Sequence, residues 1–302
     1  MNPLERYAPL VDDPEAFRAA CQRPLPSVVR VNTIKATADR VAAAFDTEGV
    51  GYEPIEWHDG LFALAERGPG TTWPYFHGWV HGQEEVSALP AVVLDPDPGD
   101  RVWDACAAPG SKTTQLSAQM GDQGLVVGND SNLGRLSALR HNAERLGVTN
   151  LAVTNQDARN FSLKPFDFEA FDAALVDVPC SCEGTCRKNP TALEEWTIDH
   201  VRSVTGVQKS ILSRAIQATK PGGTVVYSTC TFAPEENEAV VDHALQTEDC
   251  RIVPFDLPID TVPGVTEWDG ATFDSAVTET HRIYPHLNDT GGFYCAKLEV
   301  TA

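Results

Sequence analysis

Two cysteines, Cys180 and Cys230, are the residues in this sequence whose type and placement most directly suggest chemistry. Each follows an apolar run, AALVDVP before Cys180 and GGTVVYST before Cys230, and such runs read as central strands of a parallel sheet. In open α/β sheets reactive groups gather at the carboxyl ends of strands, so two thiols there point to covalent catalysis by sulfur. The residues alone do not rank one above the other, because both follow strands expected to be neighbours. Eight cysteines without regular spacing in a chain of 302 residues read as reduced thiols rather than a disulfide framework. The run CSCEGTC (180–186) lacks the paired CxxC spacing of a tetrahedral zinc site, so no metal is expected. Cys21, Cys106, Cys250 and Cys295 read as packing residues.

A second group surrounds the turn DACAAPGSKT (104–113), where small residues and Gly110 let backbone amides approach a ligand as a strand passes into a helix. It matches neither the GxxxxGK[ST] phosphate loop nor the GxGxxG dinucleotide fingerprint. Acidic residues stand at successive strand ends: Asp104, Asp130, Asp157 and Asp177. A single strand-end Asp is commonly a helix cap, but four in register are hard to explain as caps. The second of them is suited to accept ribose hydroxyls and the third to accept an adenine amino group.

These groups need a frame. Residues 1–22 read as one helix, SVVRVNT (27–33) as a strand, ATADRVAAAFDTEGV as an amphipathic helix ending near Gly49, and YEPIEW and GLFALA as two more strands. The Gly-, Pro- and aromatic-rich run 67–82 reads as a linker or crossover loop. From residue 84 strands and helices alternate, which predicts a doubly wound α/β domain. The end, HRIYPHLNDTGGFYCAKLEV, reads as a closing antiparallel hairpin with its turn at NDTGG. The expected division is an N-terminal α+β domain over 1–75 and a catalytic domain over 76–302.

Composition limits the setting. Forty-three acidic residues against 23 Lys and Arg leave a net charge of −20, which predicts a halophilic source. At low salt such a charge argues against a nucleic-acid partner; in concentrated salt counterion release contributes little and the argument weakens. No run approaches the roughly eighteen apolar residues of a membrane span, and the N-terminus does not look like a secretory signal, so a cytoplasmic location is expected.

Taken together, DACAAPGSKTTQ, NDSNLGRLSALRHNAERLG, VTNQDAR, DVPCSCEGTCRKNP, PGGTVVYSTCTFAPEENEAVV and RIYPHLNDTGGFYCAKL resemble the Sun (Nol/Nop/Sun) family of RNA cytosine-C5 methyltransferases, especially its archaeal tRNA-modifying type. The similarity runs from about residue 28 to the end. It implies a Rossmann-like class I methyltransferase sheet behind a small RNA-recognition-like α+β domain, with S-adenosylmethionine as cofactor. It places Cys106, Ala107, Ala108, Pro109, Gly110, Ser111 and Lys112 around the methionine part, Asp130 at the ribose with Arg135 in support, Asp157 near the adenine and Asp177 on the methyl side. The family's RNA enzymes attack with the cysteine of the later Thr-Cys pair, which makes Cys230 the nucleophile and Cys180 the helper of product release. Asp177 is then expected to hydrogen-bond the cytosine at nitrogen 3 or its amino group. Cys182 and Cys186 stand where the family pattern is loose and read as incidental. Arg30, Arg187, Lys188 and His286, with Arg23 and Arg282, are the expected RNA contacts, and Trp73, Tyr75, Phe76 and Trp79 could stack on bases, although a core role suits most of them. The resemblance implies tRNA as partner and, beyond RNA, neither membrane nor metal; a monomer is expected. Ribosomal RNA is the near alternative. A methylation-independent RNA-binding or ribosome-assembly factor is the alternative of another class, and a DNA methyltransferase would make Cys180 the nucleophile instead.

Overall fold

The computed structural model describes residues 3–65 and 68–302. The helix expected over 1–22 is two short helices, α1 (Pro3–Tyr7) and α2 (Pro14–Cys21), and residues 1 and 2 lie outside the described residues. Pro9 and Pro14 explain the break, since proline cannot continue a helix but suits its first turn. Asp13 caps α2 by accepting the N–H groups of Glu15 and Ala16. Leu4, Tyr7, Phe17 and Cys21 then bury against Cys186, Trp196, Phe232 and Tyr284, so the N-terminal helices belong to the catalytic body.

Next come β1 (Ser27–Val31), α3 (Ala38–Glu48), β2 (Tyr52–Pro54), β3 (Leu61–Leu64), α4 (Trp73–Phe76) and β4 (Val80–Gly82). The strands form an antiparallel sheet in the order β2-β3-β1-β4. Because β4 pairs with β1, the run expected to be a linker completes this sheet, and the unit ends after residue 82 rather than at 75. Val29, Val41, Phe45, Phe62 and Val80 make its own small core.

The sheet docks on the catalytic domain through buried polar contacts. Arg30 donates to Gln83 and to the Thr114 hydroxyl, and Asn32 donates to the carbonyls of Gly78 and Leu146. His81, whose pKa burial pushes down to about 3, stays neutral. Its Nδ1 therefore accepts from Arg145 at 3.0 Å, and its Nε2–H donates to the Ser111 hydroxyl at 3.0 Å.

The catalytic domain continues with α5 (Leu89–Leu94), β5 (Arg101–Asp104), α6 (Ser111–Gln119), β6 (Leu125–Asn129), α7 (Leu133–Leu146), β7 (Leu151–Thr154), β8 (Phe171–Asp177), α8 (Thr191–Glu194), α9 (Ile198–Ala218), β9 (Thr219–Thr229) and α10 (Glu238–Thr247). It closes with β10 (Cys250–Ile252), β11 (Val262–Pro263), the small pair β12 (Glu267–Trp268) and β13 (Ala271–Thr272), then β14 (His281–Ile283), α11 (Pro285–Asn288) and β15 (Phe293–Val300). The large sheet runs β11-β14-β15-β9-β8-β5-β6-β7, with β10 also on β15. Its five strands from β7 to β9 are parallel, and the expected C-terminal hairpin is the antiparallel β14–β15 pair.

Alternating side chains of each parallel strand feed opposite faces. Val102, Leu175 and Val226 meet α5 and α6, whereas Trp103, Ala174, Val176 and Tyr227 meet α9 and α10. Burial on both faces is why these strands read as continuous apolar runs. The chain moves outward from β5 to β7 and returns on the other side of β5 as β8. That reversal is the topological switch point, where open α/β sheets bind ligands.

Candidate active site

On the β5–β7 side of the switch point, Cys106, Asp130, Arg135, Asp157, Arg159 and Pro179 line a cavity of about 280 Å³. Gly110 enters α6 at φ +105°, and a Cβ there would meet Leu139 at 2.6 Å, so the turn needs glycine. The loop is tied down through its carbonyls, Ala108 O accepting from Arg135 and Pro109 O from Asn142. Asp130 Oδ1 accepts the N–H of Asn132, while its Oδ2 is buried without a hydrogen bond, although Arg135 Nη1 stands 3.1 Å away as an ion pair. An orphaned carboxylate oxygen on the cavity wall suits a ribose hydroxyl, so the residues present fit S-adenosylmethionine. Asp157 faces the same cavity but is held by Arg159, whose hydrogen bonds keep its carboxyl below the usual range.

Two residues expected at the cofactor turn elsewhere. Ser111 bonds His81 at the domain junction, and Lys112 enters a second cavity. That cavity, about 170 Å³, is lined by Leu25, Glu84, Ser87, Lys112, Asp177, Gly184, Lys188, Cys230 and Phe293 among others. Lys112 Nζ donates to Asp177 Oδ2 at 2.8 Å and to Ser87 Oγ at 2.9 Å, and Ser228 Oγ donates to Asp177 Oδ1 at 2.8 Å. Burial works against the Lys112 charge, but Asp177 more than offsets it and raises its pKa, so the ammonium persists.

Cys230 lines this second cavity, and its Sγ lies 3.3 Å from that of Cys180, a residue that does not line it. Cys182, expected to be incidental, joins them at 3.7 Å from Cys180. It adopts φ +63°, ψ 13°, a left-handed conformation that costs a non-glycine residue on the order of 1 kcal/mol. Buried together, the three thiols share one easy ionisation. Hydrogen bonding with Cys180 and then Cys230 lowers Cys182; contacts with Cys182 and Cys230 and then burial raise Cys180, and for Cys230 the lowering contact with Cys180 is outweighed by Cys182 and burial.

A network that the sequence reading assigned no role holds these loops. Ser181 Oγ contacts both Glu183 and Glu236, and Thr231 Oγ1 as well. One hydroxyl carries one proton, so a carboxyl must supply another. Glu236, whose pKa burial and then Glu183 push up to about 8, is that donor. Its other oxygen accepts from Ser181 N at 3.1 Å and Gln208 Nε2 at 2.7 Å, while Glu183 accepts Phe232 N at 3.0 Å. The segments CEG and PEENE contained the acids; nothing local showed that they would meet. Gly184 wedges between the loops, where a Cβ would strike Gly292 O at 2.5 Å and Cys230 O at 2.7 Å.

The expected RNA contacts divide sharply. Arg30 is only 2% exposed. The Arg187 guanidinium is 1% exposed and spends its donors on the carbonyls of Arg23, Pro24 and Thr290 and on Asp289. Arg282 is buried against Glu238, and the His286 ring packs on Phe17 and Tyr284 while facing Asp12. All four are structural, because each reaches carbonyls or carboxylates distant in sequence. Lys188 is exposed, on the rim shared by the second cavity and a groove lined by Pro24, Leu25, Pro26 and Pro69. Arg23 is exposed too, though paired with Asp289. Of the four aromatics, Trp73 and Phe76 are exposed, whereas Tyr75 and Trp79 lie under Arg145 and Arg40.

A Rossmann-like sheet with a ligand cavity at its switch point is shared by many α/β proteins, and known structures narrow it to methyltransferases. A methyltransferase homologue from Pyrococcus horikoshii superposes with a TM-score of 0.86 at 30% identity, covering 98% of this chain and 93% of that one. The chain belongs to the family described as 16S rRNA methyltransferase RsmB/F, whose model matches residues 91–299. Among curated relatives, the tRNA (cytosine(49)-C(5))-methyltransferase of Pyrococcus abyssi is 39% identical over 98% of this chain and 94% of its own length. The ribosomal RNA small subunit methyltransferase F of Shewanella amazonensis is 37% identical over 93% of this chain, which spans 60% of that relative. No helix among the described residues is long and apolar enough to cross a membrane.

Proposed function

We propose that this chain is an S-adenosylmethionine-dependent RNA cytosine-C5 methyltransferase acting on tRNA, with Cys230 as its nucleophile. The observation that carries the assignment is that Cys230 lines the cavity that also holds the Lys112–Asp177 pair, whereas Cys180, 3.3 Å from its sulfur, does not. Carbon 5 of cytosine is a poor nucleophile until a thiolate adds to carbon 6. Cys230 forms that C6–S bond, and the displaced ring electrons make carbon 5 enamine-like. Asp177, oriented by Lys112 and Ser228, hydrogen-bonds the ring at nitrogen 3 or its amino group and so stabilises the adduct. When bound, the cofactor supplies an electrophilic methyl group to carbon 5. A general base then takes the carbon 5 proton, the C5–H electrons re-form the C5–C6 double bond, the C6–S bond breaks and Cys230 leaves as thiolate. Cys180, 3.3 Å from that sulfur, assists this release. Asp130 and Asp157 hold the nucleoside part of the cofactor.

tRNA is preferred because the relative that this chain matches nearly end to end, at 39% identity, carries that activity in its name. The target base must leave its stack to reach the cavity. The test is transfer of labelled methyl from S-adenosylmethionine to tRNA and to ribosomal RNA. Cys230→Ala is expected to abolish transfer and Cys180→Ala to accumulate a denaturation-resistant RNA adduct. An adduct in Cys230→Ala instead reverses the two roles, and transfer to ribosomal RNA alone overturns the tRNA assignment.

A further inference from the structure

We propose that Cys180, Cys182 and Cys230 form a site for one thiophilic d10 metal ion, zinc in a cell, and that its occupation silences the enzyme reversibly by capturing the nucleophile. The three sulfurs all lie within 4.8 Å of one another, with two of the separations at 3.3 and 3.7 Å. Zinc–sulfur bonds of about 2.3 Å at tetrahedral angles require sulfurs about 3.8 Å apart, so the cluster needs only a small expansion to hold an ion. Cys230, one of the three, lines the cavity of about 170 Å³, which gives the cluster an entry path.

The fold selects a set that the linear spacing did not suggest. Cys186, the third sulfur of the CxCxxxC run, is turned away into the apolar cluster that holds Cys21, and Cys230 takes its place. Cys182 keeps its side chain at a backbone conformation that favours glycine, and that side chain points at the other two sulfurs. The loops carrying the ligands are braced. Gly184 N–H donates to Cys230 O at 3.0 Å, Thr185 Oγ1 donates to Cys182 O at 2.8 Å, and Glu236 holds Ser181 between the two loop cysteines. Binding of a divalent ion by three thiolates, with release of the protons the thiols carried, leaves a complex of net charge −1.

The metal site stands on the three sulfurs; only the silencing also rests on the proposed reaction. Reduced, metal-stripped protein is titrated with Cd²⁺ in the absence of cofactor and RNA, and the ultraviolet thiolate-to-cadmium charge-transfer band is read beside native mass spectrometry with Zn²⁺. One ion per chain is expected, with affinity falling at least about tenfold in Cys182→Gly, a variant that the backbone conformation accommodates, and in Cys182→Ser. Methyl transfer by Cys182→Gly, measured against its own metal-free rate, is expected to resist zinc concentrations that stop the parent. No charge-transfer band, or undiminished binding by both variants, overturns the site. Zinc inhibition of equal strength in Cys182→Gly overturns the silencing. A stoichiometric ion in a protein that methylates no RNA would leave the site standing and remove the proposed function.

Discussion

The two sides of the switch point handle charge in opposite ways. Around the cofactor cavity, Asp130 keeps one oxygen free of hydrogen bonds, and Asp157 is exposed and held by a single arginine. Around the thiols, Glu183, Glu236 and Glu238 are each fully buried, and their oxygens are taken up by hydroxyls, amides and the Arg282 guanidinium. One side stays available to a ligand that comes and goes. The other uses buried carboxyls to hold two loops in register, since each lost partner would leave a desolvated polar group.

This contrast predicts a graded set of responses. Glu238→Gln should cost the most stability, about 3–5 kcal/mol in urea denaturation, because it leaves the Arg282 charge buried without its partner. Asp177→Asn should leave folding intact and lower the turnover number on RNA roughly 10²–10³-fold, as expected when a group stabilising the reacting ring is lost. Asp130→Asn should weaken cofactor binding by about 1–2 kcal/mol in calorimetry with an unchanged unfolding midpoint. A large stability loss from Asp130→Asn would break the comparison, since that side would then be structural as well.

The last two effects are smaller. Burial raises the Glu236 pKa from 4.5 to about 8, so the folded state favours the neutral carboxyl. Its stabilising contribution is complete below pH 4.5 and is lost as the pH rises to about 8. Glu236→Gln should therefore flatten the fall in unfolding free energy across that window, and an unaltered slope would place the titration elsewhere. Lys188→Ala should weaken RNA binding only a few-fold, with a shallower salt dependence, as loss of one phosphate contact does.

Local pattern carried much of the architecture. Strands with both faces buried are visible as unbroken apolar runs, and the Gly110 turn is visible because only small residues permit its close approach. Pairing across distance was less legible. β4 reads as part of a loop because three residues beside Gly and Pro carry no period, and it becomes a strand only by pairing with β1. Residues 1–22 read as one helix of the N-terminal domain, yet the apolar faces of α1 and α2 have no complementary surface until α11 and the loop after β9 assemble.

The doubly wound domain and the strand-end acids were legible because each follows from residues adjacent in the chain, and the nearness of the two thiols followed from the strands that precede them being expected neighbours. Only the tertiary structure decided that Cys182 rather than Cys186 completes the cluster, that Lys112 serves the thiol cavity, and that Arg30, Arg187 and Arg282 are interior braces. A guanidinium looks the same in sequence whether it meets a phosphate or a carbonyl; which one it meets depends on backbone that arrives from as far as 164 residues away, as Arg187 and Arg23 do.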